Sequence, residues 1–276
     1  SNASVTENAV ITITGSNDGP VLAVGAVALS VNEATDASAQ DISGNGTITF
    51  SDLDDIASIT AASGSVSLSS GVTLPDGLEA SLLAALTFTD QGDNTADWDV
   101  SLADLDLDFL DAGETITLAF VVTAEDDQSE TATDTISLVI TGTNDAPTVA
   151  LTGNTPTASV VEAADASSQE VDASGTIYFE DLDSIDSLTI STGSIVVAGS
   201  LGVTVASSLS DALIAAVSVS EGAQDGQANW SIDTSGLDLD FLDDGETITV
   251  TVPVIATDES NASVTENAVI TITGSN

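Results

Sequence analysis

The sequence predicts an all-β protein made of two tandem β-sandwiches set end to end, each with one short helical crossover. Three observations predict it. Apolar and polar residues alternate, as in Ile116, Leu118, Phe120, Val122 and Ala124 and again in Ile136, Leu138 and Ile140, which is the period of a half-buried strand. Turn residues separate such runs at short spacing. The chain also repeats itself: GTITFSDLDD (46–55) answers GTIYFEDLDS (175–184), and LDLDFLDAGETIT (105–117) answers LDLDFLDDGETIT (237–249).

The repetition sets the expected boundaries. TGSNDGP (14–20) and TGTNDAP (141–147) read as linkers, each an Asn-Asp followed by a Pro that cannot continue a strand ladder. Repeat 1 is accordingly placed at 18–144 and repeat 2 at 145–276. Residues 1–17 and 260–276 are the same phrase, SNASVTENAVITITGSN, so 1–17 is read as the terminal strand of a preceding repeat in a longer tandem array.

Within repeat 1, β-rich runs fall near 21–31, 46–50, 56–68, 86–89 and 96–102, followed by 116–124 and 136–140. Seven strands in roughly 130 residues is the count of a β-sandwich. The exception is DGLEASLLAAL (76–86), matched by SSLSDALIAAV (207–217), where Leu and Ala recur at helical spacing. Trp98 and Trp230 hold equivalent strand positions and are read as core plugs between sheets, not as sugar platforms. Leu105, Leu107, Phe109 and Leu110, with Gly113 and Glu114, form a corner into the penultimate strand. Asp106, Asp108 and Asp111, like Asp238, Asp240 and Asp243, alternate with apolar residues and are read as solvated, outward side chains of a strand.

Composition narrows the chemistry. The 276 residues carry 45 Asp plus Glu and no Lys, Arg or His, a formal net charge of −45, so no side-chain salt bridge exists anywhere in the fold. A hydrophobic share of 42% against 16% charged is too apolar for a disordered tail. Repulsion among carboxylates destabilises the compact state. Salt silences distant pairs, but carboxylates a few Å apart still repel and favour a divalent cation, which points to calcium. The same charge repels nucleic acid and anionic membranes, and no apolar run reaches the 18 or so residues of a membrane helix, so neither partner is expected. Without Cys or His there is no disulfide, thiolate site, imidazole base or zinc site. No EF-hand loop or glycine-rich nonapeptide array is present.

Strand parity says where the acids meet. If seven strands alternate in direction, a domain entered at its top is left at its bottom, and copies join into a rod. FSDLDD (50–55) then lies at the top of repeat 1, as does AEDD (124–127), while Glu33 lies near the bottom. At the junction this brings together Glu33, Asn144, Asp145, Asp181, Asp183 and Asp258, a set of five carboxylates and one amide. Calcium takes six to eight such oxygens in flexible geometry. The same count gives an N-terminal half-site of Asn17, Asp18, Asp52, Asp54 and Asp126, and a C-terminal half-site of Glu162 and Asn276.

The phrase ITGTNDAPTV, with the acidic turn AEDD or ATDE before the last strand, resembles the VCBS and cadherin-like repeats of giant RTX-type bacterial surface adhesins. The resemblance implies an Ig-like/cadherin-like sandwich with calcium at its junctions, held by a first-strand Glu, an Asp-x-Asp, an Ala-x-Asp and an Asn-Asp linker. Here these match Glu33, Asp181 and Asp183, Asp258, and Asn144 with Asp145. The Asp-Arg-Glu motif of that family has no counterpart, because the chain lacks Arg, so one carboxylate stays unassigned. Family membership further implies type I secretion, a place on the bacterial cell surface, and a role as an extender carrying a distal adhesive module in cell adhesion or biofilm formation.

Two other functions compete with this spacer. Repeats that themselves bind carbohydrate or another cell would have few stacking platforms, with aromatics at 3% of the chain. An enzyme would have to work with a carboxylate pair alone, and the acids here lie in repeated positions, not in one singular cleft, so no enzyme is expected. Beyond neighbouring repeats of the same chain, the expected partner is a second copy, through head-to-tail exchange of the strand 1–17.

Overall fold

A computed structural model describes residues 3–23, 28–35, 38–54, 56–62, 64–92, 94–164, 168–183 and 187–275. The first sandwich contains β1 (Val21–Ala23), β2 (Ala28–Asn32), β3 (Gln40–Ser51), β4 (Ile56–Ala61), β5 (Ser65–Leu68), α1 (Leu78–Ala84), β6 (Leu86–Asp90), β7 (Thr95–Leu105), β8 (Thr115–Asp126) and β9 (Thr131–Thr141). The second repeats the plan: β10 (Thr148–Val149), β11 (Thr157–Val161), β12 (Gln169–Glu180), β13 (Thr189–Thr192), β14 (Val196–Gly199), α2 (Ser207–Ala215), β15 (Val217–Glu221), β16 (Gln227–Leu237), β17 (Thr247–Thr257) and β18 (Ser263–Thr273).

In each sandwich one sheet has four strands, ordered β1-β3-β7-β6 and β10-β12-β16-β15. The other is ordered β2-β9-β8-β4 and β11-β18-β17-β13, with β5 and β14 also on β8 and β17. The alternation read in 116–140 fixes the central pair: Ile116 faces Ile140, Leu118 faces Leu138 and Phe120 faces Ile136. All six side chains are buried, and their burial between two sheets is the main stabilising term of the fold. Each repeat closes its own core, centred on Trp98 in the first and Trp230 in the second. Both rings are core plugs, 4% and 1% exposed. Each lies over a glycine of the facing strand: a Cβ on Gly46 would stand 2.8 Å from Trp98 Nε1, and one on Gly175 would stand 2.5 Å from Trp230 Cζ2.

Two of the expected seven strands are split. The run 21–31 becomes β1, antiparallel to β3, and β2, parallel to β9 in the opposite sheet. The run 56–68 becomes β4 and β5, both antiparallel to β8. Gly64 stands at that second break, where a Cβ would come 2.5 Å from the Phe120 ring. Neither split reverses the chain. With β2 parallel to β9, and β3–β7, β6–β7, β4–β8 and β8–β9 antiparallel, the seven passes alternate in direction, so the chain enters at one end and leaves at the other. The helical crossovers are α1 and α2, seven and nine residues long, each pressing one leucine, Leu82 or Leu213, into its core.

The LDLDFLD segments differ from expectation. β7 ends at Leu105, and Asp106 to Phe109 form a turn outside the strand. Leu107 and Leu110 are fully buried and hold that turn against the core. Residues 3–16 carry no secondary structure and are exposed throughout.

Candidate metal centre

The junction is assembled from three pieces of backbone. At the bottom of the first sandwich, Glu33 follows β2. Its N–H donates to the Thr141 carbonyl at 2.8 Å, and its Oε2 accepts the Thr143 N–H at 2.8 Å, which ties the side chain to the start of the linker. Beside it the turn after β7 presents Asp108, whose N–H is held by Asp106 Oδ1 at 3.4 Å. From the top of the second sandwich come Asp181 and Asp183, with the Asp183 N–H on Asp181 Oδ1 at 3.2 Å, and Asp258, which accepts the Ala262 N–H at 2.8 Å. The linker joins the two. Asn144 Nδ2 donates to Asp258 Oδ2 at 3.0 Å, and the Asp145 N–H donates to Asp183 Oδ2 at 2.9 Å.

All six junction residues named from the sequence are thus drawn to one place. Glu33, Asp145, Asp183 and Asp258 are 0–5% exposed, so the crowding is also dry. Glu33, Asp108 and Asp145 bring carboxylate oxygens within 4.8 Å of one another. Glu33 Oε1, Asn144 Oδ1, Asp181 Oδ2 and Asp183 Oδ1 are buried with no hydrogen-bond partner. Buried oxygens of this kind are strongly unfavourable unless something offsets their charge.

The titration behaviour follows from the same geometry. Burial pushes the Glu33 carboxyl up to about 7; the Thr143 N–H pulls it back, and the charges of Asp145, Asp108 and Asp106 raise it further. Burial likewise pushes Asp183 up to about 8, against the Asp145 N–H and with the charges of Asp145, Asp111 and Asp181. Asp181 is also raised, by burial first and then by Asp258 and Asp145. A site that must lose charge can take up protons or bind a cation. The donor set fits a hard divalent ion: carboxylate and amide oxygens only, at least seven side chains with Asp108 included, and no competing cationic side chain in the sequence.

Asp108 is the correction to the sequence reading. It is 4% exposed and sits in the tightest group of acids, where a solvated strand face was expected. The alternation of Asp with Leu imitates a strand, but Asp108 stands on a turn that points its carboxyl at Glu33 and the linker. Its neighbours Asp106 and Asp111 act on the site through their charge. Strand direction carried the missed signal. The fifth pass runs downward like the first, so its end must lie beside Glu33.

The N-terminal half-site copies the top of the junction. Asn17 Nδ2 donates to Asp126 Oδ2 at 2.8 Å, the Asp18 N–H to Asp54 Oδ2 at 3.0 Å, and the Asp54 N–H to Asp52 Oδ1 at 2.8 Å. Asn17 Oδ1 and Asp52 Oδ2 are buried without a hydrogen-bond partner, as their counterparts are. The Asn17 amide holds Asp126 below the usual carboxylate range, outweighing burial, with the N–H groups of Glu130, Gln128 and Ser129 adding to it. At the far end, Glu162 Oε2 accepts the Ser275 N–H at 2.9 Å, as Glu33 does from Thr143. Asn276 lies outside the described residues.

Glu114 is a further buried acid with a structural role. Its Oε2 accepts the Asp111 N–H at 3.2 Å, and Glu246 closes the same turn on Asp243 at 2.9 Å. Among the described residues no helix is long and apolar enough to cross a membrane.

No family model and no curated protein matches the chain. Among solved structures it is similar to the EC1–4 segment of PcdhgB3, at 14% identity and a TM-score of 0.39, covering 94% of this chain and 50% of that one. It is also similar to zebrafish RET cadherin-like domains 1 to 4, at 12% identity and a TM-score of 0.29, covering 94% of this chain and 51% of that one. A third such structure is the Yersinia pseudotuberculosis adhesin InvE, at 14% identity and a TM-score of 0.29, with 91% and 58% covered. The chain therefore spans about half the length of the first two.

Proposed function

We propose that residues 18–144 and 145–276 are two spacer repeats of an extracellular bacterial surface adhesin, stiffened at their junction by calcium, which project a distal binding module. The observation that carries this reading is the dry convergence of Glu33, Asp108, Asp145 and Asp183 on the linker in a chain that contains no cationic side chain. Glu33 and Asp108 hold the ion from the first repeat, Asn144 and Asp145 from the linker, and Asp181, Asp183 and Asp258 from the second. The bound ion supplies positive charge between carboxylates that otherwise repel.

The protein's own part is orientation. The linker bonds from Asn144 to Asp258 and from Asp145 to Asp183 fasten residues 142–147 to the second repeat, and the Thr143 bond to Glu33 fastens them to the first. A six-residue connection that would otherwise be a hinge is held at both ends. These three bonds end on carboxylates, so they are weakened by unneutralised charge, while the backbone bonds of Gly142 to Gly113 and Glu114 hold the start of the linker without any charge. Adhesion itself is assigned to a distal module, because both tryptophans, the best candidate sugar platforms, are buried.

A calcium titration followed by thermal melting and small-angle scattering, with magnesium as control, tests the proposal. The melting temperature rises and the particle lengthens with calcium, and much less with magnesium. Unchanged melting and scattering at saturating calcium would refute it and leave the acids as a halophilic surface.

A further inference from the structure

The hydrogen bonds described above that join the two repeats run through the linker: Thr143 to Glu33 on one side, Asn144 to Asp258 and Asp145 to Asp183 on the other. A different contact joins the repeats without it. At the bottom of repeat 1 the end of β7, the turn after it and the start of α1 enclose a hollow of about 580 Å³. Its apolar wall is Leu78, Leu102, Leu105 and Phe109, and Leu182 of repeat 2 completes it. Leu182 stands between Asp181 and Asp183, two of the acids that repeat 2 offers to the ion.

The sequence supplies its own reference for this pair. Leu53, between Asp52 and Asp54 at the top of repeat 1, is 84% exposed, against 51% for Leu182. Phe241, in the turn after β16 at the bottom of repeat 2, is 46% exposed, whereas Phe109 is partly buried and packed on the core of repeat 1. The leucine and the phenylalanine are thus both less exposed where the two repeats meet than where they do not.

We infer that Leu182 and the hollow beside Phe109 form an apolar latch, which seats repeat 2 on repeat 1 and positions Asp181 and Asp183 for the ion. Its effect on affinity rests on the proposed cation site; the contact itself does not. Burial of apolar surface needs no counter-ion, so the latch holds while the carboxylates around it still repel. Ligands drawn from two repeats are then brought into register before the ion arrives, and binding no longer has to supply that ordering. Leu182 is in this sense a positioning residue for the junction, and it acts through the two acids beside it.

The test is a double-mutant cycle of Leu182→Ala and Phe109→Ala in the whole chain. It is read by calcium affinity in isothermal titration and, separately, by melting temperature in chelator. Leu53→Ala makes the same change in the turn that no repeat covers, and Leu182→Met keeps an apolar side chain of similar volume. Leu182→Ala weakens calcium about threefold and lowers the melting temperature in chelator by about 2 °C. Both effects vanish in the Phe109→Ala background, Leu182→Met restores wild-type affinity, and Leu53→Ala changes neither readout. Effects of Leu182→Ala that are the same in both backgrounds, in both readouts, overturn the latch, as does an equal loss from Leu53→Ala. A chain that binds no calcium refutes the junction reading instead. The melting cycle in chelator then decides alone: coupling between Leu182 and Phe109 supports the latch, and its absence overturns it.

Discussion

Glu33 and Glu162 hold the same place in the two repeats and are both buried by their own sandwich, at 4% and 5% exposure. Their surroundings differ. Around Glu33 the stacking of the two repeats has covered Asp108 of the first and Asp145 and Asp183 of the second, whereas at the far end Asp238 and Asp240 are exposed, as are Asp18 and Asp54 at the near end. Each repeat thus builds the orientation of its ligands by itself. Stacking adds the loss of water and the crowding of charge. On the proposed calcium reading, the demand for a cation belongs to the contact between repeats and not to either repeat, which is the property a mechanical coupling needs.

Removing calcium is therefore expected to give the largest effect. At calcium a thousandfold above its dissociation constant, binding to the native state adds about 4 kcal/mol. For a chain of this size chelation then lowers the melting temperature by on the order of 10 °C. Calorimetry with and without chelator reads this, and an unchanged transition would mean that the closed and open ends are energetically alike.

Asp108→Asn against Asp240→Asn sharpens the comparison next. One ligand charge fewer at the closed junction weakens calcium by about tenfold, worth about 1.4 kcal/mol, while the same change at the open end leaves affinity as it was. Isothermal titration of the two variants separates them. Equal losses would show that Asp108 gains nothing from being covered.

The acid residues also set a pH dependence. Glu33 and Asp183 titrate at about 7 and about 8 in the fold, above their ordinary values of 4.5 and 3.8. The native state therefore binds more protons than the unfolded chain between those limits, and the calcium-free protein loses stability as pH rises from about 4 through 8. Calcium must displace these protons, so its affinity rises over the same window. Glu33→Gln removes part of the conflict. In chelator at pH 8 it raises the melting temperature by a few °C, for about 1 kcal/mol, and in calcium it lowers it. Glu162→Gln shifts neither. Melting curves in which Glu33→Gln moves the same way with and without calcium would contradict the charge account.

Why some of this was legible in the sequence and some was not has a physical reason. The sheet pairing from Ile116 to Ile140 shows in the letters because one face is buried, and period two is the geometry of a strand. The six junction residues were reachable because direction alternates from strand to strand, which depends on the number of passes and not on contacts. Asp108 was hidden by the same period: an acid every second residue reads as a strand edge, although Leu107 and Leu110 hold a turn there. The split of 21–31 between two sheets left no trace in the pattern, since an apolar run fits either sheet. Burial of Asp145 and Asp183 arises only where repeats stack, and nothing in the letters of a single repeat distinguishes the covered end from the open one.

The smallest expected effect lies at the open end. Asn17→Ala deletes the amide that holds Asp126, a part-buried bond at 2.8 Å, and lowers the melting temperature of repeat 1 by about 2–4 °C, the usual consequence of losing one such bond. Because that amide is the largest influence on Asp126, which it holds below the ordinary carboxylate range, the Asp126 midpoint rises in the variant. The linkage has the opposite sign to that of Glu33: the bond stabilises the fold above the unfolded carboxylate pKa, and its contribution fades as pH falls through the native value. A carboxyl-carbon NMR titration of Asp126 in wild type and variant reads the shift directly. A midpoint that does not move would mean that Asn17 does not dock on the free end, so that the linker seats only when a repeat on each side holds it.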